Sequence, residues 1–366
     1  MARDQATFIF QYSSLNLNKI NIIHKYALIL YRVGLTVMCG RFTVKASLSI
    51  FVVSMITIPC LATSVFAIDD YTFVRKWGSY GATAGQFSQP IDIAIDSKSN
   101  LYVTDFTAVT HDVQKFTKNG TYVTSWGFLG FGPGRFTNPA GVTVDSSNYV
   151  YVTDNGNPDN GVQKFTDNGT YITGWGTVGL QPGGFINPSG IAVDSSGNVY
   201  VNDFGENNRV QKFDNTGNFI MQWGTVGRGD GQFMNPTDIL IDPQDLVYVV
   251  DSGNNRVQKF DSEGKFVLKW GTKGTGDGQF DRPGGIAMDS SGYIYVSDMA
   301  NSRIQKFTAD GQYVTQWGSK GSGDGQFNSP MGLTVDPTGL VYVVDIGNKR
   351  VQVFAPSNQS TVSPSQ

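Results

Sequence analysis

The chain has 366 residues, a formal net charge of −3 and 16% charged residues. The first 67 residues hold 6 of the 27 basic and 1 of the 30 acidic residues, which leaves 21 basic and 29 acidic ones, a charge of −8, for the rest. That balance argues against the basic face a nucleic-acid partner requires. Both cysteines, Cys39 and Cys60, also fall in that first stretch, so residues 68–366 have no disulfide and no thiolate metal site.

Residues 1–67 read as a leader. They carry Arg3, Lys19, Lys25, Arg32, Arg41 and Lys45 against the single acid Asp4, and then residues 46–67 form an uncharged, mostly apolar stretch. A basic region, an apolar stretch and the fairly small Val65 and Ala67 ahead of Ile68-Asp69-Asp70 fit a secretory signal peptide, for which Met38 is an alternative start of more ordinary length. The 22 residues 46–67 are also long enough to span a bilayer, so an uncleaved transmembrane anchor is the second reading. Pro59 and the interspersed Ser and Thr favour cleavage. With the Lys and Arg on the N-terminal side, the remainder is expected outside, extracellular or in the cell envelope, and its only membrane association runs through 46–67.

From Tyr71 onward one unit recurs. All six tryptophans stand in Trp-Gly, at Trp77, Trp126, Trp175, Trp223, Trp270 and Trp317, at intervals of 49, 49, 48, 47 and 47 residues. A period near 50 belongs to propeller blades rather than to helical solenoids. Each period opens with Phe-x-x-Pro, from Phe87/Pro90 to Phe327/Pro330, and runs into an apolar segment closed by Asp, as in Gly190-Ile191-Ala192-Val193-Asp194. A Tyr-Val-x-Asp run comes after it, from Tyr102–Asp105 to Tyr342–Asp345. Val-Gln-Lys-Phe is next, starting at Val113, Val162, Val210 and Val257 and relaxed at Ile304 and Val351. The run that ends in Trp-Gly completes the unit. These are short segments rich in Val, Ile, Tyr and Phe between Gly, Asn, Asp and Ser turns, the pattern of strands in tight hairpins. Val-Gln-Lys-Phe, apolar at its ends and polar between, predicts a strand partly buried and partly wet.

Four strands in each of six repeats, with no helical periodicity, predict an all-β, six-bladed β-propeller over residues 68–355. Tyr71–Trp77 matches the fourth strand of a blade yet precedes the first repeat, and the last repeat stops at Phe354 without one. The N-terminal strand is therefore expected to complete the sixth blade and close the ring. Residues 356–366, rich in Ser, Thr, Pro and Gln, are expected to be disordered.

Gly-Ile-Ala-Val-Asp, Val-Tyr-Val-x-Asp, Asn-x-Arg-Val-Gln-Lys-Phe and the linker Gly-x-Gly-Asp-Gly-Gln-Phe-x-x-Pro resemble NHL repeats, from about Tyr71 to Phe354. The resemblance implies a six-bladed NHL propeller of the extracellular or membrane-anchored type. Members of that family serve as interaction platforms, nucleic-acid binders, sensor heads and a few lyases, so it implies fold far more than function.

The six Asp of Tyr-Val-x-Asp form a ring, and four precede an Arg by five or six residues: Asp203/Arg209, Asp251/Arg256, Asp298/Arg303 and Asp345/Arg350. A device repeated blade after blade reads as structural, a fork-to-fork pair fixing each loop. Blades 1 and 2 break the pattern, which leaves Asp105, Asp112, Asp154 and Asp159 without an Arg beside His111. These residues are the candidate ligand-binding patch, either for recognition or for a Ca²⁺-type oxygen cluster, and drift of degenerate loops accounts for them as well. No other cofactor is implied. His111 is the sole histidine after residue 67, so a zinc site built from several histidines cannot form. A lyase or hydrolase using His111 or a carboxylate-bound metal is the alternative to a scaffold that binds protein, glycan or a small ligand at the cell surface. Lys115, Lys164, Lys212, Lys259 and Lys306 make a basic row, but on a strand. Asn119, Asn168 and Asn358 fit the N-glycosylation pattern, although an Asn-Gly hairpin turn followed by Thr produces two of the three. Arg228-Gly229-Asp230 lies within the repeated linker, so its Arg reads as incidental.

Overall fold

The structure, a computed structural model, describes residues 70–106 and 112–357. Each period folds into a four-stranded antiparallel sheet, as in blade 3 with Pro188–Val193 innermost, then Val199–Asp203, Arg209–Phe213 and Phe219–Trp223 outermost. Blades 1 to 5 are built from consecutive chain. Blade 6 takes Pro330–Val335, Val341–Asp345 and Arg350–Pro356 from the C-terminal end and Tyr71–Trp77 as its outermost strand. The innermost strands pack in sequence from blade 1 to blade 6, and blade 6 packs back onto blade 1, so the ring is closed. The chain is thus a six-bladed β-propeller whose ring the N-terminal strand shuts. Two short 3-10 turns, Ser252–Asn254 and Ile346–Asn348, are its helical elements among the described residues. No helix among those residues is long and apolar enough to cross a membrane, and residues 46–67 lie outside them.

The closing strand pairs antiparallel with Arg350–Pro356, from Tyr71 opposite Pro356 to Trp77 opposite Val351. Tyr71 also reaches blade 5. Its ring stacks on Trp317 with centroids 4.0 Å apart, and its hydroxyl lies 2.7 Å from that of Tyr295.

The apolar cores lie at the seams between blades. One seam joins Tyr151, Val162 and Trp175 of blade 2 to Phe185, Ile191, Val199 and Phe213 of blade 3. Trp175 packs edge-on to Tyr151 and tilted against Phe213, covering this seam from the rim. The turn of blade 3 that passes over it has Gly217 at φ 93°, and a Cβ there would stand 2.6 Å from the indole.

The Val-Gln-Lys-Phe strands differ from expectation, because Gln and, except for the half-buried Lys212, Lys are buried along with the apolar ends. The amide of Gln258 clasps the linker entering its blade: Oε1 accepts from Gly231 N at 3.0 Å, and Nε2 donates to Gln232 O at 2.7 Å. All six repeats use the equivalent Gln in this way. The Lys lays its stem along the seam and its ammonium over a tyrosine ring, 4.7 Å from the centroid for Lys212 and Tyr200. Tyr200 donates its hydroxyl to Asp194, 3.3 Å from Lys212 Nζ. Buried polar groups are tolerated here because each has a partner. The lysine row therefore lies inside the seams.

Candidate functional site

Chain direction places two kinds of segment on one face of the ring: the linkers between blades, and the loops between second and third strands. The Tyr-Val-x-Asp carboxylates hold them together. Asp251 Oδ1 accepts from Met234 N at 2.7 Å, at the start of the Phe-x-x-Pro corner. Arg256 donates from Nε to Asp251 Oδ2 at 2.7 Å and from its terminal nitrogens to the carbonyls of Arg228, Gly229 and Gln232. Arg303 with Asp298 and Arg350 with Asp345 repeat this arrangement, while Arg209 reaches Asp203 through a terminal nitrogen at 3.4 Å. Each contact is a single hydrogen bond rather than a fork, because the other donors satisfy linker carbonyls. The four carboxylates are fully buried and tie each linker to its blade.

Blades 1 and 2 handle the same position differently. Asp105 is fully buried and accepts from Ser88 N at 2.8 Å and Gln89 N at 2.6 Å. Directly across the strand pair, where the other blades place Arg, stands Asp112. Burial and the facing Asp105 push its carboxyl up to about 7. Asp154 is likewise buried. It accepts from Thr137 N and Asn138 N and from Asn157 Nδ2 at 2.7 Å, the counterpart of the Asn254 contact that Asp251 makes in addition to its Arg, and is pushed up to about 6 by burial. Asp159 is exposed on its loop, its own N–H donating to Asn157 Oδ1. The structure thus brings Asp105 and Asp112 together, holds Asp154 in a separate blade and leaves Asp159 at the surface; His111 lies outside the described residues. Among the described residues no group of three or more His, Cys, Asp or Glu is placed to hold a metal. Asn119 and Asn168 are exposed on hairpin turns of the opposite face, and Asn358 lies outside the described residues.

The axial channel holds two acids that sequence reasoning passed over. Where the innermost strands converge, four blades contribute Gly141, Gly190, Gly285 and Gly332, and blades 1 and 4 contribute Asp92 and Asp238. The glycines are required by close approach: a Cβ on Gly141 would stand 2.3 Å from Ser189 O, and one on Gly332 2.5 Å from Asp92 Cα. Asp92 Oδ1 accepts from Ile93 N and its Oδ2 from Val142 N of the next blade; Asp238 does the same with Ile239 N and Ile286 N. The two carboxyls therefore staple neighbouring blades and face each other at the neck of the channel. Towards the turn face the channel widens to a cavity of about 280 Å³. Burial pushes Asp92 up to about 6, and burial with the charge of Asp92 holds Asp238 well above the ordinary carboxylate range. The signal was present in the sequence as Asp in two of six otherwise glycine-bearing positions.

The exposed surface of the linker face is divided. The linkers entering blades 1, 2 and 3 present Tyr80, Phe128, Leu129, Phe131, Val178 and Leu180, each more than half exposed. These three linkers contain no acid, and their one cation, Arg135, lies over the Phe128 ring at 4.6 Å. The linkers entering blades 4, 5 and 6 instead carry Asp230, Asp277, Asp281 and Asp324 with Arg228, Lys273, Arg282 and Lys320. Two of the carboxylates are ion-paired, Asp230 with Lys269 and Asp324 with Lys76 at 2.5 Å, and the charge of Asp277 helps to raise the Tyr313 hydroxyl. Arg228 and Lys273 are exposed and line a recess of about 380 Å³ with Asn254 and Asn255.

A closed ring of six four-stranded blades with this linker clasp defines a repeat propeller. The NHL-repeat family model matches residues 185–213, 233–260, 280–307 and 327–354, and the chain is an NHL-repeat β-propeller. The four matched segments belong to the blades with the Asp–Arg pair, and the two outside the match lack it. No curated protein matches the chain. Among solved structures, an auxiliary nutrient binding protein from Bacteroides ovatus is 16% identical with a TM-score of 0.60, over 79% of this chain and 77% of that one. A protein of the same description from Bacteroides thetaiotaomicron is 16% identical with a TM-score of 0.57, over 74% and 69%. A catalytically inactive virginiamycin B lyase from Staphylococcus aureus, solved with quinupristin, is 14% identical with a TM-score of 0.54, over 81% and 92%. At such identity the likeness is one of fold.

Proposed function

We propose that this chain is an exported binding scaffold of the cell surface or envelope, a stiff propeller that displays the linker face to a ligand. The observation that carries the reading is the apolar half of that face. Every other large apolar side chain more than half exposed among the described residues, Val226 alone, also lies on a linker. Large exposed apolar side chains concentrated on one part of a surface mark an interaction site, and loops held on a rigid frame are where such sites are built. The leader supports export. Two proteins of the same fold are named for nutrient binding, a role of the same kind.

The test is a thermal-shift screen of the full chain against glycans, peptides and small metabolites, with Ca²⁺ and EDTA as separate arms. Hits are repeated on Phe131→Ser/Leu180→Ser. Both residues are exposed, so the variant should keep the wild-type melting temperature and lose the ligand-induced shift. Ligands that stabilise the wild type and the variant equally would place the binding surface elsewhere.

A further inference from the structure

The division of the linker face says what kind of ligand it fits, given that this face is the binding surface proposed above. We propose that it receives a polypeptide segment with apolar side chains followed by acidic ones. The apolar part lies on the linkers entering blades 1 to 3, and the acidic part ends in the recess of Arg228 and Lys273. Ion pairs hold Asp230 and Asp324, which leaves Arg228, Lys273, Arg282 and Lys320 outnumbering Asp277 and Asp281 on the linkers entering blades 4 to 6, on a domain that is otherwise acidic. An acidic group is therefore drawn to this half of the face and repelled by the rest of the surface.

Geometry favours a chain over a lipid surface. Apart from Arg135 and Val226, the exposed apolar and basic linker residues fall on opposite halves of the ring. A bilayer that took up the apolar half would tilt the basic half away from its headgroups, whereas a chain crossing the face meets both in turn. The leader of this protein does not fit, since its six Lys/Arg against one acid would meet the basic half with like charge. The tail is neither acidic nor apolar. A two-fold pairing of the face with itself matches apolar halves and leaves the basic halves unmatched. Aromatic and aliphatic side chains at the centre and charged contacts at one end are the usual division of labour when a groove or face takes a peptide.

The experiment is selection of a random peptide display library, with peptides of about 12 residues that reach up to ~40 Å when extended, on the immobilised full chain. Expected are peptides that combine apolar residues with Asp or Glu towards one end. Their affinity should fall by about tenfold or more for Phe131→Ser/Leu180→Ser and for Arg228→Glu/Lys273→Glu, with melting temperatures unchanged. Only the second variant should lose the weakening by salt. No enrichment, or enriched peptides that bind both variants as they bind the wild type, overturns the proposal. So does Phe131-dependent binding to phosphatidylcholine–phosphatidylserine vesicles in place of peptides, or self-association abolished by Phe131→Ser/Leu180→Ser. If the panel of glycans and small molecules gives hits that depend on Phe131 and Leu180 while the library gives none, the peptide inference fails and the binding scaffold stands. If neither gives a hit that depends on this face, both fail.

Discussion

Asp112 occupies the register position that Arg209, Arg256, Arg303 and Arg350 hold in blades 3 to 6, directly opposite a buried aspartate. In those blades the guanidinium neutralises the carboxylate and satisfies linker carbonyls; in blade 1 a second carboxyl faces the first. Ionising both is costly, and the molecule avoids it by keeping Asp112 protonated up to about pH 7. The sign follows from linkage. The folded pKa lies above the unfolded value near 3.9, so the contribution is complete below about pH 4 and is lost as pH rises through about 7. Asp112→Arg should therefore raise stability at pH 8 by on the order of 2 kcal/mol and flatten the profile between pH 5 and pH 8. Urea unfolding of wild type and variant across that range measures both effects. A variant that is less stable at pH 8, with the wild-type slope retained, would show that this loop cannot seat a guanidinium.

At the scale of elements, the closing strand carries the most weight. Tyr71–Trp77 has no turn joining it to blade 6, and its hold rests on the antiparallel ladder and on Tyr71, wedged between Trp317 and Tyr295. Tyr71→Ala should cost about 3–5 kcal/mol, the range for truncating a buried aromatic, visible as a lower melting temperature. Removing Asp70–Trp77 should unfold or oligomerise the protein by baring the edge of Arg350–Pro356. A monomer with an unchanged melting temperature after that deletion would refute closure by this strand. The strand itself was legible because Tyr71–Trp77 repeats the pattern of every outermost strand. The burial of Gln258 and Lys259 was not, because each depends on a partner outside its own strand. Gln258 meets a linker 26 or more residues earlier, and the Lys259 ammonium lies 4.7 Å from the centroid of Tyr248. The apolar linkers were likewise readable one at a time, but only the ring puts the linkers of Tyr80, Phe131 and Leu180 in consecutive positions on one face.

For the whole molecule, the period that revealed six blades also determines which residues meet on the axis. Asp92 and Asp238 look unremarkable inside their own apolar segments. Because they stand three repeats apart, the closed ring of six turns them towards each other. Four glycines flank them where a side chain would collide with the next blade. Two carboxyls at one neck, each accepting two backbone N–H groups, cannot both stay charged without strong repulsion. The structure accordingly raises Asp92 to about 6 and holds Asp238 well above the ordinary carboxylate range. Other groups near the pair are scarce: the neck is lined by Ile91, Ala140, Ser189, Thr237, Met331 and glycines, with no cation among them. A proton held at the neck at pH values where an ordinary carboxylate is already ionised is the expected consequence. The infrared difference spectrum of wild type minus Asp238→Asn should show a protonated carboxyl at pH 5, where an ordinary carboxylate is ionised, and Asp92→Asn should move its titration to lower pH by removing the facing charge. Stability gives an independent reading. The side-chain amide that Asp238→Asn introduces can accept only one of the two backbone N–H groups, so the variant should be about 1 kcal/mol less stable at pH 5. The gap should close as pH rises, because the raised folded pKa values mean that the wild type loses stability from about pH 4 upward while the amide stays neutral. A flat difference across pH 5 to 9 with no carboxyl band would mean that both acids are ionised, and that the ring tolerates two facing charges at its centre.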